Sequence, residues 1–256
     1  MCIILPINQT GEFVMNIFKS GTAALKVYDE INKYNRLGPK IDAAINSGDI
    51  EGAREIMRTG MKNFADNLVK RLRLNYTVDG KENIPENGPL LVMANHQGYF
   101  DLVGLYYAIQ NFHFGMIAKS ELKKHKFLRT AIEHTGSLFI DRGNAREALS
   151  TINRAIEILK SGGSLGIFPE GTRSRGYEMG EFKRASFKLS EKSGVPILPV
   201  SISGSYHLFE ENESFKRSPQ LIRIHPIVNY GELSKSELSD AQDRIIETIR
   251  NGIEDI

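Results

Sequence analysis

Two residues of the segment NHQGYFD, residues 95–101, together have the chemistry of a general base. His96 and Asp101 are five positions apart, and on a continuous helix their side chains would point about 140° away from each other. They can meet only if the chain turns between them, which Gly98 makes possible. A carboxylate that binds one imidazole nitrogen fixes the tautomer and leaves the other nitrogen able to take a proton from a hydroxyl. The alternative is that Asp101 only caps a helix and His96 is a polar loop residue.

A second polar segment, FPEGTRSRG at residues 168–176, has the composition of an anion-binding loop. Pro169 and Gly171 favour a tight turn, and the guanidinium group of Arg173 suits bidentate binding of phosphate or carboxylate. Arg175 lies in the same segment, Lys119 and Arg142 follow other predicted strands, and Lys183 and Arg184 come further on in GEFKRA at residues 180–185. One such residue alone would be ordinary surface charge, but several near strand ends predict an anion site.

These segments need a scaffold, and the chain from residue 76 onward has the pattern of an α/β fold, in which short apolar runs alternate with helical periodicity. The predicted strands are residues 89–95, 114–118, 137–141, 164–168, 195–202 and 221–228. The predicted helices are residues 101–110, 120–134 and 145–161, and a last one opened by a capping box of Ser234 and Glu237. This alternation is typical of a mostly parallel sheet flanked by helices, with functional loops at the carboxyl ends of the strands.

The sequence predicts an N-terminal helical segment at residues 1–75 that precedes the α/β domain at residues 76–256. Two apolar stripes of helical spacing occur there: Val14, Phe18, Gly21, Leu25 and Tyr28, and then Met57, Met61, Phe64, Leu68 and Leu72. RLGP at residues 36–39 and NSGD at 46–49 break the helical pattern, which predicts an amphipathic helical hairpin. Because the second stripe shares its helix with basic residues, the hairpin either packs on the main domain or lies on an anionic membrane surface.

The composition is that of an ordinary globular protein. Of 256 residues, 41% are hydrophobic and 25% charged, which excludes a disordered or collagen-like chain. The net charge of +2 gives no indication of nucleic-acid binding. The single cysteine, Cys2, excludes an internal disulfide and a cysteine-based zinc site, and favours a reducing cytoplasm. No run approaches the roughly 20 apolar residues of a membrane span, so we expect contact with a membrane only at its surface.

Other motif matches do not indicate a function. GGSLG at residues 162–166 fits the G-x-S-x-G pattern of serine hydrolases, but a helix precedes Ser164 and a strand follows it, the reverse of what that motif needs. No P-loop or dinucleotide-binding glycine motif occurs in the sequence. The other histidines lack ligand spacing, so no metal is expected. The basic run at residues 119–129 is either a solvated helix face or a patch for an acidic partner or a lipid surface.

Four segments together resemble the glycerolipid acyltransferases. NHQGYFD resembles their N-H-x-x-x-x-D motif and FPEGTRSRG their F-P-E-G-T-R-S motif. GSLFIDR at residues 136–142 is similar to their G-x-x-F-I-D-R block, and VPILPVSISGS at 195–205 to their V-P-I-x-P-V block. The four occur in the family's order, and the resemblance is greatest to the bacterial subgroup that acylates 1-acyl-sn-glycerol 3-phosphate. One departure is Ala185, which stands where the family has glycine in F-K-x-G.

The resemblance implies a mechanism and a set of site residues. His96, oriented by Asp101, would take the proton from the free hydroxyl of a lysophosphatidic acid, which then attacks an acyl thioester of coenzyme A or acyl carrier protein. Phosphatidic acid would form without an acyl-enzyme, a cofactor or a metal, and backbone amides near His96 would hold the oxyanion. The residues implied in substrate binding are Lys119, Arg142, Glu170, Gly171, Thr172, Arg173 and Lys183. Of these, Lys119, Arg142 and Arg173 would hold the phosphate, so Arg173→Ala is expected to raise the KM for the acceptor.

The resemblance also implies a location. Relatives dock on the bilayer through a helical segment ahead of the catalytic domain, so contact of residues 11–74 with a phospholipid surface becomes the favoured interpretation. A peripheral enzyme at the cytoplasmic face of the membrane is expected. Three alternatives stay open: an acyltransferase for another acceptor such as glycerol 3-phosphate or another lysolipid, a phospholipid-binding module without catalysis, and an esterase that uses Ser164.

Overall fold

A seven-stranded sheet forms the centre of the protein in the computed structural model, which describes residues 21–256. The strands are β1 (Asn75–Asp79), β2 (Leu91–Ala94), β3 (Gly115–Lys119), β4 (Leu138–Ile140), β5 (Leu165–Ile167), β6 (Ile197–Ser203) and β7 (Pro219–Ile224). Their order across the sheet is β1-β7-β6-β2-β5-β3-β4. All neighbours are parallel except β6 and β7, which pair antiparallel. The predicted mostly parallel sheet is therefore confirmed.

Helices cover both faces of this sheet. They are α1 (Thr22–Asn35), α2 (Gly38–Asn46), α3 (Ile50–Leu72), α4 (Asp101–Ala108), α5 (Lys126–His134), α6 (Ala145–Lys160), α7 (Lys188–Ser193) and α8 (Leu238–Asn251). Successive residues of a strand face opposite sides. Val92 and Ala94 of β2 accordingly pack with α3 and α4, whereas Leu91 and Met93 pack with α6 and α8. With both faces buried, β2 is a rigid base for the loop that follows it.

Some predicted helix boundaries were wrong. Residues 120–124 form a 3-10 turn, and α5 begins only at Lys126. The amide and hydroxyl of Ser234 both bond the carboxylate of Glu237 as a capping box would, yet α8 begins after Glu237, at Leu238. From residue 75 onward, one strand and one α-helix had not been predicted, β1 and α7. The first is only half-buried and the second spans six residues, so neither gives a strong pattern.

The N-terminal segment contains three helices in its described part, because a further helix, α2, lies between the two predicted breaks. The second predicted stripe is confirmed, since α3 buries Met57, Met61, Leu68 and Leu72. In the first stripe, Leu25 and Tyr28 lie on α1 and are 61% and 48% exposed. The first stripe's Val14 and Phe18, like Cys2, lie outside the described residues.

Four of the five basic residues of α3 pair with carboxylates of the same helix or of α1. Arg54, Arg58 and Lys62 pair with Glu51, Glu55 and Asp66 of the same helix. Arg71 pairs with Asp29 and with the buried Glu30, both on α1. These contacts join α1 to α3, which packs on the domain, and leave the exposed apolar residues of α1 on the outside. Within residues 21–256, no helix combines the length and the apolar character that crossing a membrane requires.

Candidate active site

The two motif loops meet at one edge of the sheet. The first loop, residues 95–100, follows β2 and leads into α4, and the second, residues 168–176, follows β5. A third segment follows β6, where Gly204 has φ 75°, a left-handed value that favours glycine, and turns the chain into residues 205–208. Because β6, β2 and β5 are adjacent and parallel, their carboxyl ends lie side by side. The loops therefore come together as the strand pattern predicted.

His96 and Asp101 form a hydrogen-bonded pair in this position. Nδ1 of His96 lies 2.6 Å from Oδ2 of Asp101, which is fully buried at the first turn of α4. The amide of Gly98, in the turn between them, donates to the same oxygen over 2.9 Å. The imidazole stacks on the ring of Phe168 with centroids 4.0 Å apart, and 22% of the side chain stays exposed. With Nδ1 held by the carboxylate, Nε2 is the nitrogen available for proton transfer.

The side chain of Ser205, which no sequence motif singles out, contacts the Asp101 carboxylate. Its hydroxyl donates to Oδ1 of Asp101, and its amide donates to the side-chain oxygen of Gln97 over 3.1 Å. Ser205 has no exposed surface. Both oxygens of the Asp101 carboxylate are thus engaged in the interior, which fixes the plane of the group that orients His96.

Buried carboxylates hold the backbone of the His96 loop. Three amides of this loop each donate to one of them: His96 to Glu170 over 2.6 Å, Gly98 to Asp101 over 2.9 Å and Tyr99 to Glu210 over 2.7 Å. The second oxygen of Glu170 accepts from the Gly180 amide over 2.7 Å. Burial raises the pKa of Glu170, and its bonds to the two amides oppose that shift. These three loop amides are therefore occupied and do not form the expected oxyanion site, and Glu170 braces the loop.

Arg142 and Lys183 converge at Gly171. The guanidinium group of Arg142 donates to the Gly171 carbonyl. A side chain placed on Gly171 would have its first carbon 2.9 Å from Nη1 of Arg142 and 3.1 Å from Nζ of Lys183, so both cations border the same small space. Burial lowers the pKa of Arg142, and nearby Glu121 opposes that shift. In the described part of the chain neither cation has an ion-pair partner, which leaves this space suited to an anion.

The other predicted binding residues lie in different surroundings. Lys119 is 60% exposed and pairs with Glu121 over 2.9 Å. Thr172 is exposed. Arg173 does not join the pair at Gly171, because its guanidinium group lies on the ring of Tyr99, 3.6 Å from the centroid, and binds Glu210 over 2.8 Å. At the family's glycine position, Ala185 is exposed in a 3-10 turn that begins just after Lys183.

Ser164 has no part in this site. It directly precedes β5, at the amino edge of the sheet, whereas His96 lies at the carboxyl edge. Its hydroxyl is buried and accepts from the amide of Leu90 over 3.0 Å. Among the described residues, no hydrogen bond joins the Ser164 hydroxyl to a histidine or carboxylate that could act as its base, as an esterase would need.

Comparisons with known proteins identify the family to which the chain is similar. A family model described as Acyltransferase matches residues 75–203. A 1-acyl-sn-glycerol-3-phosphate acyltransferase of Borreliella burgdorferi is 32% identical over 180 residues, covering 70% of this chain and 72% of that protein. Its Saccharomyces cerevisiae namesake is 30% identical over 195 residues, or 70% of this chain and 61% of that protein. The crystal structure of the 1-acyl-sn-glycerophosphate acyltransferase PlsC from Thermotoga maritima has a TM-score of 0.73 and 28% identity, covering 93% of this chain and 96% of that one.

Proposed function

The chain belongs to the Acyltransferase family, and from this premise we propose that it transfers a fatty acyl group from a thioester to the free hydroxyl of 1-acyl-glycerol 3-phosphate, which gives phosphatidic acid. The observation that carries this proposal is the hydrogen bond between His96 and Asp101 at the carboxyl edge of the sheet. This pair can activate a hydroxyl, and the cations at Gly171 can hold the phosphate of the same acceptor.

The proposed reaction needs no covalent enzyme intermediate. Nε2 of His96 takes the proton of the acceptor hydroxyl while its oxygen bonds to the thioester carbonyl carbon. The Asp101 carboxylate stabilises the imidazolium that forms, because the two charges are in hydrogen-bond contact. The carbon–sulfur bond then breaks, and the imidazolium returns the proton to the departing thiolate. The products are phosphatidic acid and a free thiol, and His96 is neutral again.

Arg142 and Lys183 are proposed to hold the acceptor phosphate. The guanidinium group offers paired donors and the ammonium group a compact charge, so together they suit a phosphate monoester at neutral pH. Because Gly171 has no side chain, both groups can approach its backbone closely, so the two cations lie near each other. Lys119, further out and exposed, is proposed to contribute at the rim.

The N-terminal helical segment is proposed to bring the site to a phospholipid surface at the cytoplasmic face of the membrane. Leu25 and Tyr28 of α1 are exposed, and the Tyr28 ring stacks on Phe127 of α5 with centroids 4.5 Å apart. Exposed Lys126 adjoins Phe127 in the basic run, so apolar and cationic groups lie near one another, as contact with anionic lipid requires. Replacing Leu25 and Tyr28 by serine is expected to weaken binding of the protein to phosphatidylglycerol vesicles, with exposed Leu149→Ser as the control. Unchanged sedimentation with these vesicles would contradict this role.

A panel of acceptors tests the proposed function. The purified protein is incubated with acyl coenzyme A, and in parallel with acyl carrier protein thioester, and each donor is offered lysophosphatidic acid, glycerol 3-phosphate or lysophosphatidylcholine. We expect phosphatidic acid from lysophosphatidic acid and a free thiol in equal amount, with either donor or both. Transfer only to glycerol 3-phosphate or to lysophosphatidylcholine would reassign the acceptor. If no thioester is consumed with any acceptor, the chain is instead a phospholipid-binding module.

A further inference from the structure

We propose that Glu210 is a positioning residue of this active site, which holds the His96 loop in place through the Tyr99 amide and the Arg173 guanidinium group. The proposal deepens the proposed function and rests on it for the kinetic part of its test. Glu210 lies outside all four motif segments, and the family model ends before it, at residue 203. Its role is therefore read from contacts alone.

The carboxylate of Glu210 joins two segments that are distant in sequence. Its Oε1 accepts from the amide of Tyr99 over 2.7 Å and from Nη1 of Arg173 over 2.8 Å. The side chain is 2% exposed. Burial raises the pKa of Glu210, while the Tyr99 amide and Arg173 oppose that shift. A buried carboxylate is stabilised by charged and hydrogen-bonding partners, and Arg173 supplies the charge.

The Arg173 side chain is held by two contacts, and its segment joins the two motif loops. Its side chain is 18% exposed, its guanidinium group lies 3.6 Å from the centre of the Tyr99 ring, and Glu210 neutralises its charge. The next two residues bond back to the same loop: the Ser174 amide donates to the His96 carbonyl over 2.8 Å, and the Arg175 amide donates to the Gln97 carbonyl over 3.2 Å. An arginine whose charge is already balanced attracts a phosphate less than the unpaired cations at Gly171 do.

Glu210 acts on the loop in the same manner as Glu170, a residue of the motif. Glu170 accepts from the amide of His96, and Glu210 accepts from the amide of Tyr99, three positions further on. Gly98 lies between these two points, and a side chain on it would have its first carbon 2.5 Å from one oxygen of the Glu210 carboxylate. The glycine of the first motif thus permits the close approach of Glu210. Each end of the turn that brings His96 to Asp101 is bound to a separate carboxylate.

Glu210→Gln tests this role, because it keeps the size of the side chain and an acceptor oxygen for the Tyr99 amide but removes the charge that binds Arg173. We expect kcat with lysophosphatidic acid to fall at least about tenfold, since a displaced general base loses its alignment. The KM for lysophosphatidic acid is expected to stay within about threefold, since the phosphate contacts are elsewhere. Glu210→Asp keeps the charge and is expected to recover part of kcat. The control is Glu211→Gln, an adjacent glutamate that is 49% exposed and pairs with His207, and it should match the wild type.

Several outcomes would overturn the proposal. An unchanged kcat with a KM raised about tenfold would mean that Arg173 binds the phosphate and that Glu210 serves that contact. An unchanged kcat with a lowered KM would mean that Glu210 competes with the phosphate for Arg173. Wild-type values of both constants would mean that the loop does not need Glu210. If Glu210→Gln does not fold by circular dichroism, Arg173→Lys keeps a cation opposite Glu210 without the planar stacking group, and the same loss in kcat at constant KM is expected.

A spectroscopic measurement tests the role of Glu210 independently of turnover. The proton on Nδ1 of His96, hydrogen-bonded to a buried carboxylate, is expected to give a downfield resonance that His96→Ala removes. We expect Glu210→Gln to broaden or shift this resonance and Glu211→Gln to leave it in place. A resonance unchanged in Glu210→Gln would refute the positioning role even if the wild type proved inactive with every acceptor. Inactivity of the wild type would refute only the proposed function.

Discussion

Replacing Asp101 by asparagine removes one negative charge from beside His96 and leaves the shape of the side chain unchanged. In the native site the carboxylate accepts three hydrogen bonds: Oδ2 from His96 Nδ1 and the Gly98 amide, and Oδ1 from the Ser205 hydroxyl. In the asparagine variant, the side-chain oxygen can take the place of Oδ2. The side-chain NH2 group then faces Ser205, whose hydroxyl can rotate and accept a hydrogen bond instead of donating one. His96 therefore keeps its orientation and its tautomer in this variant.

The expected loss in rate then comes from the missing charge. Two unit charges about 4 Å apart attract each other by about 4 kcal/mol at the effective dielectric constant of about 20 that suits protein sites. Since each 1.36 kcal/mol corresponds to a factor of about ten, Asp101→Asn should lower kcat about a thousandfold. A larger loss, on the order of ten thousandfold, is what an exchanged tautomer causes in serine proteases. The intact hydrogen bond to Nδ1 predicts the smaller of the two values.

Single-turnover release of thiol, followed with a thiol-reactive dye, measures this loss without interference from product release. The melting temperature should stay within a few degrees of the wild type, and the KM for each substrate should change little. Asp243→Asn, at a 54% exposed aspartate that pairs with Arg184, is the matched control. A rate within about tenfold of the wild type would show that no imidazolium forms beside residue 101 in the transition state, which would refute the assigned roles of both residues.

Three further predictions concern the phosphate site, Ser164 and a buried histidine. Arg142→Ala and Lys183→Ala should each raise the KM for lysophosphatidic acid about tenfold without changing the KM for the thioester, because each removes a charge-assisted contact. If initial-rate kinetics show the KM for lysophosphatidic acid unchanged in both variants, the phosphate binds at another place. Ser164→Ala should keep full activity but lower the free energy of unfolding by about 1–3 kcal/mol, because the buried Leu90 amide loses its acceptor, and loss of activity in a folded variant would revive the esterase alternative. Burial lowers the pKa of His113 from 6.5 to about 4. Below pH 6.5 the unfolded chain binds a proton that the folded protein does not take up until about pH 4, so between pH 7 and pH 5 this histidine destabilises the fold by about 2 kcal/mol. The free energy of unfolding measured in urea should therefore decrease less between pH 7 and pH 5 in His113→Gln than in the wild type. An equal decrease in both proteins would contradict this role of His113.

The sequence predicted the elements that place the two motif loops. Apolar runs such as residues 89–95 and 164–168 are short and continuous, which is how strands buried on both faces read, and the polar segments follow them directly. The strand that was missed, β1, has the sequence NYTVD and is exposed at alternate positions at the edge of the sheet. Such a strand gains its structure from pairing with β7, 144 residues away in the chain, which no local pattern records.

The residues that support the site were harder to find from the sequence. Ser205 and Glu210 lie 104 and 111 residues from the groups they bind in the His96 loop, and serine and glutamate are common at any surface. Both residues follow β6, and the parallel pairing of β6 with β2 brings them next to the His96 loop. Arg173 shows the same limit, because its residue type predicted binding of a substrate phosphate or carboxylate, and the spacing could not show that its guanidinium group binds Glu210 of the same chain. Motifs identify reacting groups, and long-range packing identifies the groups that hold them.

Single-turnover conversion of radiolabelled lysophosphatidic acid by the wild type and by His96→Ala tests the central claim most directly. With an excess of enzyme and acyl thioester, the wild type should convert the label to phosphatidic acid with one thiol released for each molecule formed. His96→Ala should show the same circular dichroism spectrum and melting temperature, and its rate should be lower by about a thousandfold or more, because the proton acceptor is gone. A folded His96→Ala protein that forms phosphatidic acid at the wild-type rate would contradict the account.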